Sequence, residues 1–319
     1  MLSLSRLRKS RIHRIAFYAK GISRSLIPRF LLSSRIPALE RKLGEERIED
    51  LRTRLDYYFP VREPFPVPPS AERIGDITLA GNSSTYFYDL MEFARYFPSS
   101  GKLLYRFGDS TAVPDFPTLV KARPVSEFRN SILFKLGKVR HFHFEKDRLP
   151  FRSKRDSIIW RGAVYQSHRV AFMEKFWGKS PRIDVAQSNK KGKGNPEWYG
   201  EFTTVPQQLD HKFVLSIEGN DVATNTKWIM GSNSLLFMRK PTCETWFMEG
   251  TLIPGTHYVQ VADDYADMEE KMDYYLAHPD EAEAITRNAN EYVSQFLDHV
   301  AEDWLSFKVI ERYLELSTE

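Results

Sequence analysis

The second half of the chain alternates short apolar runs with longer amphipathic stretches. The apolar runs have the length and the aromatic and β-branched content of buried strands, and they predict strands at residues 157–160, 183–186, 212–217, 234–238 and 257–261. Apolar residues at helical spacing predict helices at 168–176, 282–296 and 301–316. This alternation predicts an α/β fold in which a mostly parallel sheet carries helices on both faces.

The first half of the chain is less regular. A charged helix is predicted at 38–58 despite Gly44, and the proline-rich connector 59–69 that follows cannot form a helix or a central strand. Further on, the pattern predicts a helix at 84–97 and strands at 77–80, 103–107, 118–122 and 131–136. A basic linker near residue 150 marks a domain boundary. We therefore divide the chain into four parts. These are an N-terminal extension with the charged helix (1–58), a first α/β domain (59–150), a second α/β domain (151–297) and a C-terminal helix placed against the first domain (298–319).

Charge is distributed unevenly along the chain. The net charge is +4, but residues 1–36 contain nine Lys and Arg and precede the first acidic residue, Glu40, so the rest of the chain is net acidic. A basic patch confined to one end argues against a broad nucleic-acid-binding surface. The single cysteine, Cys243, excludes a disulfide framework and a cysteine-based zinc site. No apolar run is long enough for a membrane-spanning helix.

The basic segment 1–36 is also rich in apolar residues such as Leu7, Ile15 and Ile22. A basic amphipathic segment of this kind can lie on an anionic membrane surface. Two alternatives stay open at this point: a partly helical extension that packs on the body of the protein, and an organelle transit peptide. A cleavable secretory signal is not indicated, because charges interrupt the apolar region.

Residues 212–228 contain the clearest candidate site. Strand 212–217 ends at a cluster of turn-forming residues, 218–221, and a helix is predicted to begin at about Val222 and to include Lys227. A strand, a glycine-containing turn and a helix together present free N–H groups to an anion, usually a phosphate. The alternative is an ordinary strand–helix connection with an Asn or Asp cap.

Two arginines lie at or just beyond the end of the predicted strand 157–160. Arg161 and Gly162 end strand 157–160, and Arg169 lies two helical turns beyond Gly162. Arginine suits a pyrophosphate because its planar guanidinium binds two oxygens at once. Both side chains are therefore candidates for one anion above the strand ends, and the alternative is a pair of solvated surface arginines.

Asp109 directly follows Gly108 at the end of strand 103–107. A carboxylate at the carboxyl end of a strand lies where open α/β sheets place their chemistry. The alternative is a turn or cap residue.

Taken in order, these segments resemble glycosyltransferase family 90, which includes eukaryotic protein O-glucosyltransferases and bacterial lipopolysaccharide-core transferases. The resemblance extends over residues 100–297 or so and rests on the order and spacing of several short motifs: Trp160-Arg161-Gly162, His211-Lys212-Phe213, Glu218-Gly219, Lys227-Trp228, Ser232-Asn233-Ser234, Glu244-Thr245-Trp246 and residues 254–261. It implies a GT-B architecture, in which two Rossmann-like domains face each other across a cleft. The second domain would hold a nucleotide sugar, and the first would hold the acceptor.

The resemblance also implies the type of reaction. Family members invert the anomeric carbon, use a UDP-sugar as donor and need neither a metal nor a cofactor. Their base is an Asp after a strand of the first domain, which matches Asp109 here; it would accept the proton of the acceptor hydroxyl. Gly108 stands where the eukaryotic members have an arginine.

The residues that match the family's donor site are Arg161, Gly162, Ala163, Arg169, Gly219, Asn220, Asp221, Val222, Ala223, Thr224, Asn225 and Lys227. Asn225 stands where relatives have an arginine, so the leaving pyrophosphate is one cation short. Lys227, or Lys121 or Arg123 of the first domain, would supply that charge. Cations and helix N-termini must stabilise the departing nucleotide when no metal does so.

Two further segments look like sites, but we interpret them differently. Asp263, Asp264 and Asp267 resemble the Asp-x-Asp metal motif of other transferases, but they follow strand 257–261 at the start of a helix and suit helix capping. Residues 190–195 are rich in Lys and Gly without the ordered P-loop pattern, which predicts a flexible loop over the cleft.

The predicted function is transfer of a hexose from a UDP-sugar to a lipopolysaccharide or lipooligosaccharide core. The enzyme would work in the cytoplasm on the inner face of the cytoplasmic membrane, held on the anionic leaflet by residues 1–36. One alternative is the same chemistry on a capsule glycan or a protein hydroxyl. Another is a nucleotide-sugar or glycan-binding protein without turnover. The sequence does not name the sugar, because glucose and galactose differ only in the orientation of one hydroxyl.

Overall fold

The computed structural model describes residues 2–27, 34–189 and 192–318, with side chains from residue 14 onward. Two parts of the sequence predictions lie outside the described residues. These are Arg29 with its apolar neighbours in the basic segment, and Lys190 and Lys191 of the loop rich in Lys and Gly.

The described residues combine helices with mostly parallel strands, which confirms the predicted α/β class. The helices are α1 (Leu2–Ser25), α2 (Arg35–Tyr58), α3 (Ser84–Ala94), α4 (Lys138–His141), α5 (Ser167–Phe176), α6 (Val205–Gln208), α7 (Thr226–Met230), α8 (Met268–Ala277), α9 (Pro279–Ser294) and α10 (His299–Leu316). The strands are β1 (Phe65–Pro66), β2 (Glu72–Arg73), β3 (Lys102–Leu103), β4 (Tyr105–Arg106), β5 (Thr118–Val120), β6 (Ala122–Pro124), β7 (Ser131–Leu133), β8 (Arg155–Gly162), β9 (Ile183–Gln187), β10 (His211–Ser216), β11 (Leu235–Met238), β12 (Cys243–Thr245), β13 (Val259–Gln260) and β14 (Ser317–Thr318).

The chain divides into two compact units. Unit 1 comprises Met1–His141, Thr242–Met248 and Phe296–Glu319, and unit 2 comprises Phe142–Pro241 and Glu249–Gln295.

Unit 2 is built on a five-stranded parallel sheet with the order β13–β11–β10–β8–β9. The chain moves from β8 to one neighbour, β9, and then crosses to the other neighbour, β10, so the direction of strand addition reverses between β8 and β10. Ligands of open α/β sheets bind outside the carboxyl ends of the strands at such a reversal. All five strands predicted in the second half of the sequence are present in this sheet.

The sheet of unit 2 forms the centre of its hydrophobic core. Phe213, Val214 and Leu215 of β10 have no exposed surface. Consecutive buried residues, rather than alternating ones, are expected of a parallel strand covered on both faces. Phe237 of the neighbouring β11 packs edge-on against Phe213, with ring centroids 5.1 Å apart.

Unit 1 contains a smaller parallel sheet, with the order β4–β5–β7. Its C-terminal helix, α10, packs against α2. Glu302 of α10 is buried and accepts hydrogen bonds from Arg54 and Lys135, each at 2.5 Å, and from the indole N–H of Trp246 at 2.8 Å. A buried carboxylate is tolerated when donors satisfy its oxygens, so this cluster anchors α10 within unit 1.

The basic N-terminal segment begins as helix α1, one face of which packs on α3. The Tyr18 hydroxyl lies 3.1 Å from that of Ser84. Gly21 is buried against the ring of Tyr88, and a Cβ added at Gly21 would lie only 2.5 Å from it. Residues 14–25 are therefore a packed part of unit 1, as one of the sequence alternatives expected.

The other face of α1 exposes apolar side chains. Ile15 is 67% exposed, Ile22 is 54% exposed, and Leu26, which follows the helix, is 78% exposed. Their spacing of seven and four residues puts them along one line of the helix surface.

Some element predictions for the connecting regions were wrong. Residues 77–80 form no strand, because the chain turns there and the N–H of Ile77 bonds to the carbonyl of Arg73. The predicted strand 103–107 is interrupted at Leu104, whose N–H bonds to the Tyr313 hydroxyl at 3.2 Å. The helix expected from Val222 begins only at Thr226.

Candidate active site

The carboxyl end of β8 carries a tryptophan and a glycine on the same face. Residues two apart in a strand point to the same side, and a Cβ at Gly162 would overlap the indole of Trp160. Trp160 is buried and packs edge-on against Phe172, with ring centroids 5.6 Å apart. Glycine at 162 is therefore required by the packing of this tryptophan.

Arg169 joins the ends of β8 and β10. From α5 it donates hydrogen bonds to the carbonyl oxygens of Ala163 at 2.8 Å, Ile217 at 2.5 Å and Glu218 at 2.9 Å. Burial lowers the pKa of Arg169, but a guanidinium stays charged in proteins and has five N–H donors. Three of these are used here, and two remain. A Cβ at Gly219 would lie 3.3 Å from its Nη2, which favours glycine at that position.

Arg161 is held towards the neighbouring strand. Its Nη2 lies 2.7 Å from a carboxylate oxygen of Asp184 on β9, and its Nε donates to the Thr203 hydroxyl at 3.1 Å. Arg161 and Arg169 therefore start near the same strand end but bind different partners.

The turn after β10 is folded on itself. The N–H of Gly219 donates to the carbonyl of Asp221 at 2.7 Å, and Asn220 accepts a hydrogen bond from the Gln166 amide at 2.9 Å. Val222 and Ala223 are buried, whereas Thr224 is exposed. This turn lies beside Ala163 and Arg169, so the structure brings together most of the predicted donor-site residues.

The last two predicted donor residues have structural partners in unit 2. The Asn225 amide donates to the carbonyl of Leu215 at 2.9 Å, tying the start of α7 to β10. Lys227 has no exposed surface, and its ammonium lies 2.6 Å from a carboxylate oxygen of Glu249. Because Lys227 is buried and paired with Glu249, these contacts do not support it as the cation that the family resemblance implies near position 225.

In unit 1, Asp109 accepts hydrogen bonds from three side chains. Its Oδ1 accepts from the Tyr86 hydroxyl at 2.8 Å and from the Lys121 ammonium at 2.5 Å. Its Oδ2 lies 3.1 Å from Nη2 of Arg140. Gly108 precedes it with a φ of +116°, a conformation that suits glycine and turns the chain sharply after β4.

The environment of Asp109 keeps its carboxyl ionised. Burial alone would raise the pKa of Asp109, but the hydrogen bond and charge of Lys121, the charge of Arg140 and the Tyr86 hydroxyl together lower it to about 2. Its side chain stays 29% exposed. An ionised, partly exposed carboxylate oxygen can accept the proton of a hydroxyl, but a pKa of about 2 makes it a weak base.

The two cations proposed in the first domain have different roles. Lys121 contacts Asp109 directly. Arg123, two residues further on, is fully buried and donates to Glu244 at 2.7 Å, to the carbonyl of Ser131 at 3.1 Å and to the carbonyl of Tyr57 at 2.8 Å. These bonds fasten β6 to its surroundings within unit 1.

The aspartates after β13 have local partners. Asp264 binds the Lys175 ammonium at 2.9 Å. The Asp267 carboxylate accepts the N–H of Ala262 at 2.8 Å and pairs with Lys271 at 2.7 Å. Asp267 precedes α8, but its side chain makes no hydrogen bond to the N-terminus of that helix, so it is not the side-chain cap that the sequence suggested. Within the described ranges, no group of three or more His, Cys, Asp or Glu could hold a metal ion. Over the same residues, no helix is long and apolar enough to cross a bilayer.

Several residues around these sites were not identified from the sequence. Tyr86 falls within the predicted helix 84–97, and Arg140 lies outside every predicted element. They lie 23 and 31 residues from Asp109 in the chain. Asp184 and Glu249, which pair with Arg161 and Lys227, carried no recognisable motif.

Comparison with known proteins identifies the family of the chain. Residues 136–318 match the profile described as Glycosyl transferase family 90. The O-glucosyltransferase LpsA of Dichelobacter nodosus is 42% identical over 308 residues, which cover 95% of this chain and 96% of that protein. Asp109 lies before the matched family segment but within a chain that aligns with this relative over most of its length.

Proposed function

Because the chain belongs to glycosyltransferase family 90 and is therefore a glycosyltransferase, we propose that it moves glucose from UDP-glucose to a hydroxyl of a lipid-linked lipopolysaccharide core. Glucose is supported by the similarity to LpsA, which is an O-glucosyltransferase. The lipid-linked acceptor is supported by the basic N-terminal segment, which suits the anionic leaflet where such acceptors lie.

The observation that carries this proposal is the set of donors around Asp109. Tyr86, Lys121 and Arg140 hold the carboxylate ionised and oriented. In the proposed reaction, the acceptor oxygen attacks the anomeric carbon from the side opposite the diphosphate, and the C–O bond to UDP breaks. Asp109 takes the proton of the attacking hydroxyl, whose acidity rises as the new bond forms. The product therefore has the inverted configuration.

The donor is assigned to unit 2. Its support is a parallel sheet whose strand order reverses between β8 and β10, with Arg169 at that point. The two remaining N–H groups of Arg169 would bind a diphosphate oxygen. A GT-B fold is part of the proposal, and it is supported by a parallel sheet in each unit.

The proposed reaction uses no metal. The negative charge on the departing UDP would be stabilised by Arg169 and by the N–H groups of the turn after β10. The aspartates that resemble a metal motif are engaged elsewhere, since Asp264 binds Lys175 and Asp267 binds Lys271.

We assign the contact with the membrane to α1. Its packed face lies on α3, and the exposed line of Ile15, Ile22 and Leu26 can enter the interface between lipid headgroups and acyl chains. Arg14 and Lys20 are exposed on the same helix and would attract anionic headgroups.

The experiment that tests the proposal replaces Asp109 by Asn and measures UDP release from UDP-glucose with a lipooligosaccharide that lacks its terminal core hexose. Loss of the base should lower kcat by about 10²–10⁴-fold, the usual contribution of general base catalysis, and leave UDP binding unchanged. Asp115→Asn, at an exposed position of the same unit, is the matched control. The assay should give equal rates with and without EDTA.

A different result would reject parts of the proposal separately. Wild-type turnover by Asp109→Asn would exclude Asp109 as the base. Reversible loss of turnover in EDTA would overturn metal independence. Transfer to a protein hydroxyl in place of the core would change the acceptor and keep the chemistry.

A further inference from the structure

Asp89 is a fully buried carboxylate that lies close to the candidate base without touching it. It is on α3 and has no exposed surface. Its Oδ2 accepts the main-chain N–H groups of Gly137 at 2.7 Å and Lys138 at 3.1 Å. The Lys138 ammonium lies 3.5 Å from its Oδ1. A buried carboxylate with such partners holds the backbone it binds in one place.

The backbone held by Asp89 carries one of the partners of Asp109. Helix α4 begins at Lys138, and the N–H of Arg140 bonds to the carbonyl of Gly137 at 3.0 Å. From this short helix the Arg140 side chain reaches Oδ2 of Asp109 at 3.1 Å. A shift of the Gly137–Lys138 turn would therefore move the guanidinium relative to the carboxylate.

The other partners of Asp109 lie around the same turn. Gly137 has a φ of +75°, and a Cβ there would lie 3.3 Å from the ring of Tyr86 and 3.9 Å from Cε of Lys121. Tyr86 and Asp89 are three residues apart on α3, so they lie on the same side of that helix. Helix α3 thus contributes one direct hydrogen bond to Asp109 and holds the turn that contributes another.

The charges around Asp89 make its ionised form usable at neutral pH. Burial raises the pKa of Asp89 to about 6, while the charge of Lys138 and the two N–H groups act in the opposite direction. Glu92, one turn further along α3, shares Lys138 with Asp89. Asp89 is consequently ionised at pH 7 and accepts strong hydrogen bonds from the turn.

We propose that Asp89 is a positioning residue for the transfer reaction, which acts by holding the Gly137–Lys138 turn so that Arg140 stays on Asp109. This inference rests on the proposed role of Asp109 as the base. The described partners of Asp89 are Gly137 and Lys138, not Asp109.

The test compares Asp89→Ala, Arg140→Gln and the double variant in the UDP-release assay described above, across pH. In the wild type, Asp109 should stay ionised down to about pH 4, and kcat/KM should be flat above about pH 6.5 and fall through about pH 6 as Asp89 is protonated. Release of Arg140 should raise the pKa of Asp109 by about one pH unit or more, so kcat/KM of Asp89→Ala should lack the change near pH 6 and fall instead below about pH 5. Its kcat should fall about tenfold with the KM for UDP-glucose unchanged.

The double variant separates positioning from general destabilisation. If Asp89 acts through Arg140, the loss of kcat in the double variant should equal that of Arg140→Gln alone, because the effects of residues coupled through a shared backbone shift do not add. Leu90→Ala, at a fully buried position next to Asp89 on α3, is the control. It should lower the Tm and leave the pH dependence of kcat/KM on the acidic side as in the wild type. Asp89→Asn keeps an oxygen acceptor for both N–H groups and should restore most of the activity if Asp89→Ala does not fold.

Each remaining outcome has a definite meaning. A folded Asp89→Ala with the wild-type pH profile and kcat overturns the positioning role, as does a strictly additive double variant. If Asp109→Asn is fully active in the same assay, the base assignment fails first, and that failure is visible without the Asp89 variants.

Discussion

At the scale of single residues, Arg169 shows how a side chain that looks like a ligand-binding cation can also be a structural one. It bonds to three main-chain carbonyls at the ends of two neighbouring strands. These carbonyls belong to the segments after β8 and β10, where the donor is proposed to bind. Arg169 can therefore fix the shape of the donor site and still offer two N–H groups to it.

We predict that Arg169→Lys weakens UDP binding by tenfold or so, although the charge is kept. A lysine ammonium cannot reach three separated carbonyls with a planar fork, and each buried carbonyl left without a donor costs about 1–3 kcal/mol of stability. Isothermal titration with UDP and thermal unfolding would measure both effects. Arg148→Lys, at an exposed position in the same unit, should change neither. Wild-type UDP affinity in Arg169→Lys would contradict this account.

At the scale of elements, α1 has two faces with different expected roles. One face packs on α3 through Gly21 and through the ion pair between Arg24 and Glu92. Since α3 carries Tyr86, this packing supports the helix that contacts the candidate base. The opposite face exposes the line of Ile15, Ile22 and Leu26.

Two substitutions in adjacent positions of α1 should separate these roles. Ile22→Asp should reduce binding to phosphatidylglycerol vesicles at least about tenfold, because one apolar side chain contributes about 1.5–3 kcal/mol when buried, and should leave turnover on a soluble acceptor unchanged. Gly21→Val should lower turnover on the soluble acceptor and the Tm, because its side chain would overlap Tyr88. Vesicle sedimentation and the UDP-release assay give the two readouts. Equal vesicle binding by Ile22→Asp and the wild type would exclude this face as the membrane contact.

At the scale of the whole molecule, the two units respond differently to acid. In unit 2, burial lowers the pKa of His211 and of His257, so protons bind more readily to the unfolded state and stability is lost as pH falls below about 6.5. In unit 1, burial raises the pKa of Asp89 to about 6, so its contribution to stability increases as pH falls through that value. Asp109, with its pKa of about 2, loses its contribution only below about pH 4.

We therefore predict that acid destabilises unit 2 before unit 1. When the pH is lowered from about 7.5 to about 5.5, the rate of amide hydrogen exchange, corrected for its intrinsic pH dependence, should increase in unit 2 and not in unit 1. Unit 1 should follow below about pH 4. Replacing both His211 and His257 by Asn should remove the first change. Loss of protection in both units at the same pH would show that other groups control the response.

Local periodicity was sufficient for the strands of the sheet in unit 2. The five apolar runs from residue 157 to residue 261 became the five strands of the sheet in unit 2, because a strand buried on both faces needs a short continuous apolar run. The conformation of the turn after β10 was harder to predict. Val222 was placed in a helix, but the bond from Asn225 to the end of β10 delays the start of that helix to Thr226.

The sequence by itself was enough to determine the α/β class, the position of Asp109 after a strand and the resemblance to a transferase family, since each depends on residues close together in the chain or on their order. Only the tertiary structure decided which charges meet. Lys121 and Arg123 are two residues apart and both cationic, yet one binds Asp109 and the other Glu244. Tyr86 and Arg140 reach the same carboxylate from 23 and 31 residues away. Such pairings depend on how helices and strands pack around the carboxylate, and no local pattern of apolar and polar residues specifies that.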